Sequence, residues 1–198
     1  MAKGEETRSA VLGKALALAT QVGLEGVTIG RLADEVGMSK SGLFAHFASK
    51  ENLAVAILDE AAERFVAFVV TPAFKKPRGE PRLRALIDNW LAWSKADFMP
   101  GGCIFVAAGV ELDDKPGPAR DRFVSAQRDW LSTLSGAAKI AVEEKHFRSD
   151  LDTEQLAHEV YSIAYGYHFL RRLVDPEGAE KRARVAFERI IADARVRA

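Results

Sequence analysis

The sequence predicts an all-α protein: an N-terminal three-helix module followed by a larger helical remainder, about nine helices in all. Three observations carry this. Apolar residues recur at helical spacing along the chain. No segment alternates apolar and polar residues as a half-buried strand does. Thr28 to Lys50 packs two short amphipathic helices around a glycine turn. Of 198 residues, 48% are hydrophobic and 28% charged, ordinary for a chain with a real core. Net charge is zero, so attraction to nucleic acid has to come from local placement rather than from the whole molecule.

Thr7 to Val22 forms the first predicted helix, with Leu12, Ala15, Leu16, Ala19 and Val22 on one side. The second places Ile29, Leu32, Ala33 and Val36 on one face, with Thr28 as N-cap and Gly37 where a left-handed C-cap needs glycine. Ser39 caps a third helix whose apolar residues are Leu43, Phe44 and Phe47. A helix, a glycine turn and a second helix is the layout of a DNA-reading helix-turn-helix. From Val36 through Lys50 there is no Asp or Glu, while Lys40 and Lys50, with His46 as a further candidate, supply positive charge. The third helix therefore offers a phosphate backbone an acid-free face. Lys40, Ser41 and Gly42 occupy its first turn, where side chains approach base edges.

Ser49 caps a fourth helix, in which Leu53, Ile57, Ala61 and Phe65 recur and Phe68 and Val69 broaden the stripe; it is expected to run unbroken to about Val70. Pro72, Pro77, Gly79 and Pro81 mark a loop, whose Lys75, Lys76 and Arg78 read as solvated. Leu83, Leu86, Ile87 and Trp90 form the next stripe, stopped before Pro100-Gly101-Gly102. Cys103 to Leu112 is a short buried segment closed by Pro116-Gly117-Pro118, and its apolar run is too short to span a bilayer. A long helix follows, with Phe123, Trp130, Leu131, Leu134 and Ala138 inward. Asp152 with Gln155 makes a capping pair for the helix after it, and Asp175-Pro176 is expected to cap and start the last.

Between Leu156 and Val174, one face carries Tyr161, Tyr165 and His168 and another carries Val160, Ile163, Tyr167 and Leu170. The last helix adds Ala183, Phe187, Ile190, Ile191 and Ala194. A helix apolar on more than one side needs cover on more than one side. In a chain this short a second copy supplies it economically, which makes Val160, Ile163, Tyr167, Leu170, Phe187, Ile190 and Ile191 the expected dimer residues. A monomer core with these helices at its centre is the alternative.

On the ordered runs T-I-x-x-L-A-x-x-x-G-M-S (Thr28 to Ser39), K-S-G-L-F-x-H-F (Lys40 to Phe47) and S-K-E-N-L (Ser49 to Leu53), the chain resembles the TetR family of bacterial transcriptional repressors. The resemblance implies a DNA-binding domain over 1–52 and a ligand-binding and dimerisation domain over 53–198. It implies as partners a double-stranded palindromic operator, a small-molecule inducer and a second copy in a homodimer, with no membrane, in the cytoplasm. Thr28, Ser39, His46 and Lys50 match family positions that usually touch the sugar-phosphate backbone. Where this chain has Phe44 the family usually has a tyrosine, whose hydroxyl commonly touches a phosphate; Phe44 makes no such bond. The alternative function is a small-molecule-binding or assembly protein on the same fold, without sequence-specific DNA binding.

Aromatic residues concentrate in the C-terminal part: Trp90, Trp93, Phe98, Phe105, Trp130, Tyr161, Tyr165, His168 and Phe169. Such clusters are commonly core, yet the polar tips of Tyr161, Tyr165 and His168 on one face are also what a ligand site needs. A cavity walled by Trp90, Trp93, Phe105, Trp130, Tyr161, Tyr165 and His168, for a small, largely apolar molecule, is what the resemblance implies. Glu111 either meets a cationic or hydroxylated ligand or ends a helix in solvent. Cys103, the only cysteine, forms no internal disulfide, which fits a reducing cytoplasm. Its helix-start position favours a thiolate sensor, whereas its neighbours Ile104, Phe105 and Val106 favour a buried, inert thiol. MAKGEETRSA has no apolar signal core, so secretion is not expected. His46, His146, His158 and His168 show no metal-ligand spacing, and there is no Gly-rich phosphate loop or nucleophile elbow. No enzymatic activity, metal or cofactor is expected.

Overall fold

The computed structural model describes residues 2–196. Met1, Arg197 and Ala198, at the outer ends of the two expected domains, lie outside the described residues. The elements in order are α1 (Ala2–Gly26), α2 (Ile29–Val36), α3 (Lys40–Phe47), α4 (Lys50–Phe65), a π-helical turn (Val66–Val70), α5 (Thr71–Phe74), α6 (Glu80–Trp93), α7 (Ile104–Leu112), α8 (Pro118–Glu143), α9 (Thr153–Phe169), a second π-helical turn (Leu170–Val174) and α10 (Ala179–Ala194). Among the described residues, nine helices have eight residues or more, and α5 is a single turn. There is no strand among them, only an isolated antiparallel bridge between Phe147 and Arg195. No described helix is long and apolar enough to cross a membrane. The chain divides into two compact units, Met1–Arg64 with Lys95–Ala126 and Phe65–Ser94 with Gln127–Ala198.

The first unit is organised around α1, whose Ala15, Leu16 and Ala19 are fully buried. α1 packs on α2 and still more extensively on α7. The approach is closest at Gly101, where a Cβ would stand 1.7 Å from the carbonyl oxygen of Thr20 and 2.7 Å from the nitrogen of Gln21. The Gly101 N–H donates to Thr20 Oγ1 at 2.9 Å, so the loop before α7 is seated on α1 by shape and by a buried hydrogen bond. Farther along, α1 bends at Gly23 (φ 76, ψ 167), a conformation glycine adopts without steric cost. The Glu111 carboxylate fills the space a Cβ would need there and accepts the Glu25 N–H at 3.1 Å. Glu111 thus binds the α1 backbone, which neither of its sequence readings anticipates. Glu51 on α4 accepts the Ala119 N–H at 3.0 Å, placing a carboxylate at the positive end of α8. Cys103 is buried, 1% exposed.

In the second unit the helical run does not stop at Val70 but continues through the first π turn to Phe74. The Thr71 N–H reaches back to the Val66 carbonyl, which shifts the bonding register just ahead of Pro72. The proline's missing N–H then falls in the first turn of α5, where no intrahelical partner is lost. Leu83, Leu86, Ile87 and Trp90 are buried as their spacing predicts. Asp152 accepts the Glu154 and Gln155 N–H groups at 3.1 and 2.9 Å, but the Gln155 side chain turns to Glu159, leaving a one-sided cap. Asp175-Pro176 does not start the last helix. Asp175 is drawn into the second π turn by its N–H on the Leu170 carbonyl, and its side chain accepts the Gly178 N–H, so α10 begins at Ala179. Glu80, at the head of α6, binds Arg195 at 2.6 Å and Arg84 at 2.7 Å, and its carboxyl lies below the usual range chiefly through the Arg195 hydrogen bond.

The packing of α9 on α10 corrects part of the expected dimer surface. Val160, Tyr167, Phe187 and Ile191 are only 1–4% exposed within the single chain, so they hold this unit together and have no surface to give a second copy. Ile163 and Ile190 are half-buried and Leu170 is exposed. The outward face of α9 and the turn after it instead carries Ser162, Gly166, Phe169 and Leu173 at helical spacing.

Replacing Gly101 with Ala is expected to cost about 1–3 kcal/mol, because the clash is with backbone that has no room to yield. Gly136→Ala, inside α8 with nothing within 4 Å of the new Cβ, is expected to gain up to about 1 kcal/mol. Urea unfolding midpoints measure both; equal effects of the two substitutions would refute the close approach.

Candidate nucleic-acid interface and aromatic cluster

α2 and α3 are held at both ends by the residues that specify them. Thr28 Oγ1 accepts the Arg31 N–H at 3.1 Å, and Gly37 closes α2 in the left-handed conformation (φ 68, ψ 31). Ser39 Oγ accepts the Gly42 N–H at 3.1 Å and lies 3.2 Å from Ser41 Oγ. Leu32, Ala33, Leu43 and Phe47 are buried, which fixes the angle between the two helices. Thr28, Ser39, Lys40, Ser41 and Lys50 are left exposed, with Gly42 and His46 half-buried. All seven candidates lie in the first unit. Ser39, Lys40, Ser41 and Gly42 stand at the start of α3, at the positive end of its helix dipole, an arrangement suited to phosphate, whereas Thr28 caps α2, His46 lies in the last turn of α3 and Lys50 opens α4.

Phe44 departs from its expected place in the apolar stripe: it is 53% exposed and stands on the outer face of α3. The sequence also conceals other features of this face. Arg8 Nη1 donates to the His46 carbonyl at 2.8 Å and its guanidinium stacks 4.8 Å over the Phe47 ring, tying α1 to the end of α3. Lys40 lies across Gly30, with its Cε 3.3 Å from where a Cβ would be. Ala48 ends α3 at φ 61, a conformation that glycine would have signalled and alanine does not. Lys50 Nζ donates to Glu25 Oε2 at 2.7 Å.

The aromatic candidates fall in two places. Phe105 belongs to the first unit, with its ring 6.5 Å from that of Phe123, whereas Trp90, Trp93, Trp130, Tyr161, Tyr165 and His168 belong to the second. There Phe65 packs edge-on to Trp93 at 5.3 Å and to Trp130 at 4.9 Å, and Trp90 meets Tyr167 at 6.1 Å. The three tryptophans are at most 7% exposed, so their rings build core. Tyr161 and Tyr165 stack at 4.6 Å and both hydroxyls reach Gln127 Oε1, at 2.9 and 3.3 Å. Gln127 gave no signal in the sequence. The Tyr167 hydroxyl is buried without a hydrogen-bond partner among the described residues. His168 is buried, and loss of hydration, with Arg172 and Arg171 adding to it, pushes its pKa down to about 4.

The family model "Tetracyclin repressor-like, C-terminal domain" matches residues 79–187, more than half of the chain, and "Bacterial regulatory proteins, tetR family" matches residues 11–57. The chain therefore belongs to the TetR family of bacterial regulatory proteins, which are DNA-binding regulators and not enzymes. It is 39% identical over 70 residues to the HTH-type transcriptional repressor AcnR of Corynebacterium diphtheriae, a match covering 35% of this chain and 37% of that protein. The chain spans little more than a third of the length of the curated relatives it matches. A TetR transcriptional regulator from Chloroflexus aurantiacus superimposes over 100% of both chains with a TM-score of 0.84 at 26% identity. AibR, in complex with isovaleryl coenzyme A and operator DNA, shares the fold with a TM-score of 0.74 over 93% of this chain and 97% of its own, at 20% identity.

His168 gives a pH dependence of known sign. Its folded pKa lies below the ordinary value of 6.5, so the unfolded chain binds the extra proton and stability falls as pH drops from about 6.5 to about 4. His168→Gln is expected to flatten the fall in urea midpoint between about pH 7 and 5. An unchanged slope would mean that other groups carry the acid sensitivity.

Proposed function

We propose that this protein is a ligand-responsive transcriptional repressor that binds a palindromic operator as a homodimer in the cytoplasm and is released by a small, largely apolar molecule. The observation that carries the reading is the start of α3: capped by Ser39, free of acids, and exposing Lys40 and Ser41. In functional terms residues 1–52 are the DNA-binding domain and 53–198 the ligand and dimer domain. Lys40, Ser41 and Gly42 face base edges; Thr28, Ser39, His46 and Lys50 hold the sugar-phosphate backbone. The single missing phenol at Phe44 removes one phosphate contact and leaves the others.

Two further observations support the remaining partners. The outward stripe Ser162, Gly166, Phe169 and Leu173 is apolar or small, suited to close packing against the same stripe of a second copy. Gly166 has open space around its missing Cβ, so a side chain there is harmless to the single chain. For the inducer, the Tyr167 hydroxyl and the Tyr161–Tyr165–Gln127 group supply polar points within an aromatic surrounding, and neutral His168 adds no charge to it. AibR, a protein of this fold, holds an acyl coenzyme A together with operator DNA.

Gel-shift titration against the DNA flanking the protein's own gene tests the reading. Lys50→Ala is expected to weaken binding to all sequences and reduce the salt slope by about one. Lys40→Ala or Ser41→Ala should change base preference. Substitutions that leave both affinity and preference intact would remove DNA reading from this face. Gly166→Arg is expected to turn a dimer into a folded monomer in analytical ultracentrifugation and to abolish binding to paired half-sites. A dimer that survives Gly166→Arg must use another face.

A further inference from the structure

Lys50, on which a phosphate contact rests, is already engaged within the protein. Its Nζ donates to Glu25 Oε2 at 2.7 Å, while the other oxygen of the same carboxylate lies 3.4 Å from Nζ of Lys115. The placement of Glu25 is a backbone matter. Gly23 bends the end of α1, and Glu111 from the end of α7 holds the Glu25 N–H at 3.1 Å. All five residues belong to the first unit, and Lys115 sits in the connection between α7 and α8. The hydrogen bonds from Lys50 and Lys115, in that order, keep the Glu25 carboxyl below the usual range, so it is ionised at neutral pH.

An ammonium is a compact charge, and a carboxylate close by competes with a phosphate for it. Side-chain exposures of 47% for Lys50 and 59% for Glu25 make the pair accessible to solvent and modest in strength, so phosphate can displace it. The two lysines draw on one carboxylate, and whatever Lys115 takes weakens the hold on Lys50.

We propose that Glu25 is an internal competitor of DNA phosphate for Lys50, and that Lys115 sets how strongly it competes. This rests on the DNA-binding reading given above. Through it, the connection between α7 and α8 influences operator affinity without touching DNA.

The test uses the full chain and a labelled duplex of about 30 base pairs without an operator, in fluorescence anisotropy at about 50 mM salt, where backbone contacts dominate. Glu25→Gln is expected to tighten binding about two- to five-fold, the range an exposed ion pair supports. The gain should vanish when Lys50→Ala is also present. Lys115→Ala should weaken binding in the wild-type background and have no effect once Glu25→Gln is in place. Exposed Glu25 is not part of the core, and unfolding midpoints check that each variant is folded. If Lys50→Ala weakens binding but Glu25→Gln equals wild type, the competitor is refuted while DNA binding stands. A Glu25→Gln gain that persists without Lys50 is a bulk charge effect and overturns the proposal, as does a Lys115→Ala loss of equal size in both backgrounds. If neither this duplex nor the operator-bearing DNA binds any form of the protein, the DNA-binding reading itself fails.

Discussion

The contact on which the first unit depends is the meeting of α7 with α1. Two positions without side chains make it possible. Gly101 lets the loop ahead of α7 touch the backbone of Thr20, and Gly23 lets α1 turn where the Glu111 carboxylate arrives. With both ends of α7 fixed, α1 has a set position, and α1 in turn carries Arg8 to the end of α3. The helix-turn-helix is therefore positioned from behind as well as by its own core. Its short helices, eight residues each, are below the length at which isolated helices persist in water. Caps and tertiary contact supply what length does not.

The second unit solves a different problem, the placing of large rings. Phe65 stands edge-on to both Trp93 and Trp130, an arrangement that sets the positive ring edge against the negative ring face. Polar tips among these rings then need partners. Tyr161 and Tyr165 share one amide oxygen of Gln127, and burial keeps His168 uncharged, which spares the core an ion beside Arg171 and Arg172. Tyr167 alone among these phenols has a buried hydroxyl without a partner, a group whose desolvation costs about 1–3 kcal/mol until something accepts its proton.

Much of this was legible in the sequence, for a local reason. Thr28, Gly37, Ser39 and Asp152 act on backbone within four residues of themselves, and the stripes Leu53–Phe65 and Leu83–Trp90 follow the 3.6-residue period. What escaped depends on long-range pairing. Nothing near Glu111 or Gly101 in the chain names α1 as its partner, and the left-handed Ala48 carries no glycine to announce it. The apolar faces of α9 and α10 were read correctly as needing cover, but periodicity does not say from what. For Val160, Tyr167, Phe187 and Ile191 the cover is the chain's own packing. The helix beyond Val70 was hidden because a π turn has no sequence signature as plain as the proline it accommodates.

A chain with no net charge has to create affinity for a polyanion by arrangement. Here the arrangement removes acids from α3 and gathers its basic groups at two helix starts, Lys40 on α3 and Lys50 on α4. Both side chains are exposed, yet each has a contact within the protein. Lys40 lies over Gly30, and Lys50 rests on Glu25. Each contact is weak by itself, since exposed pairs are worth under about 1 kcal/mol. Their effect is on discrimination. On the proposed reading, non-specific DNA offers phosphates to Thr28, Ser39, His46 and Lys50, whereas an operator adds base edges for Lys40 and Ser41, so a small cost levied on every encounter falls hardest on the encounters that return least. On that reading, holding the basic groups back lowers binding to the many wrong sites more than it lowers occupancy of the right one.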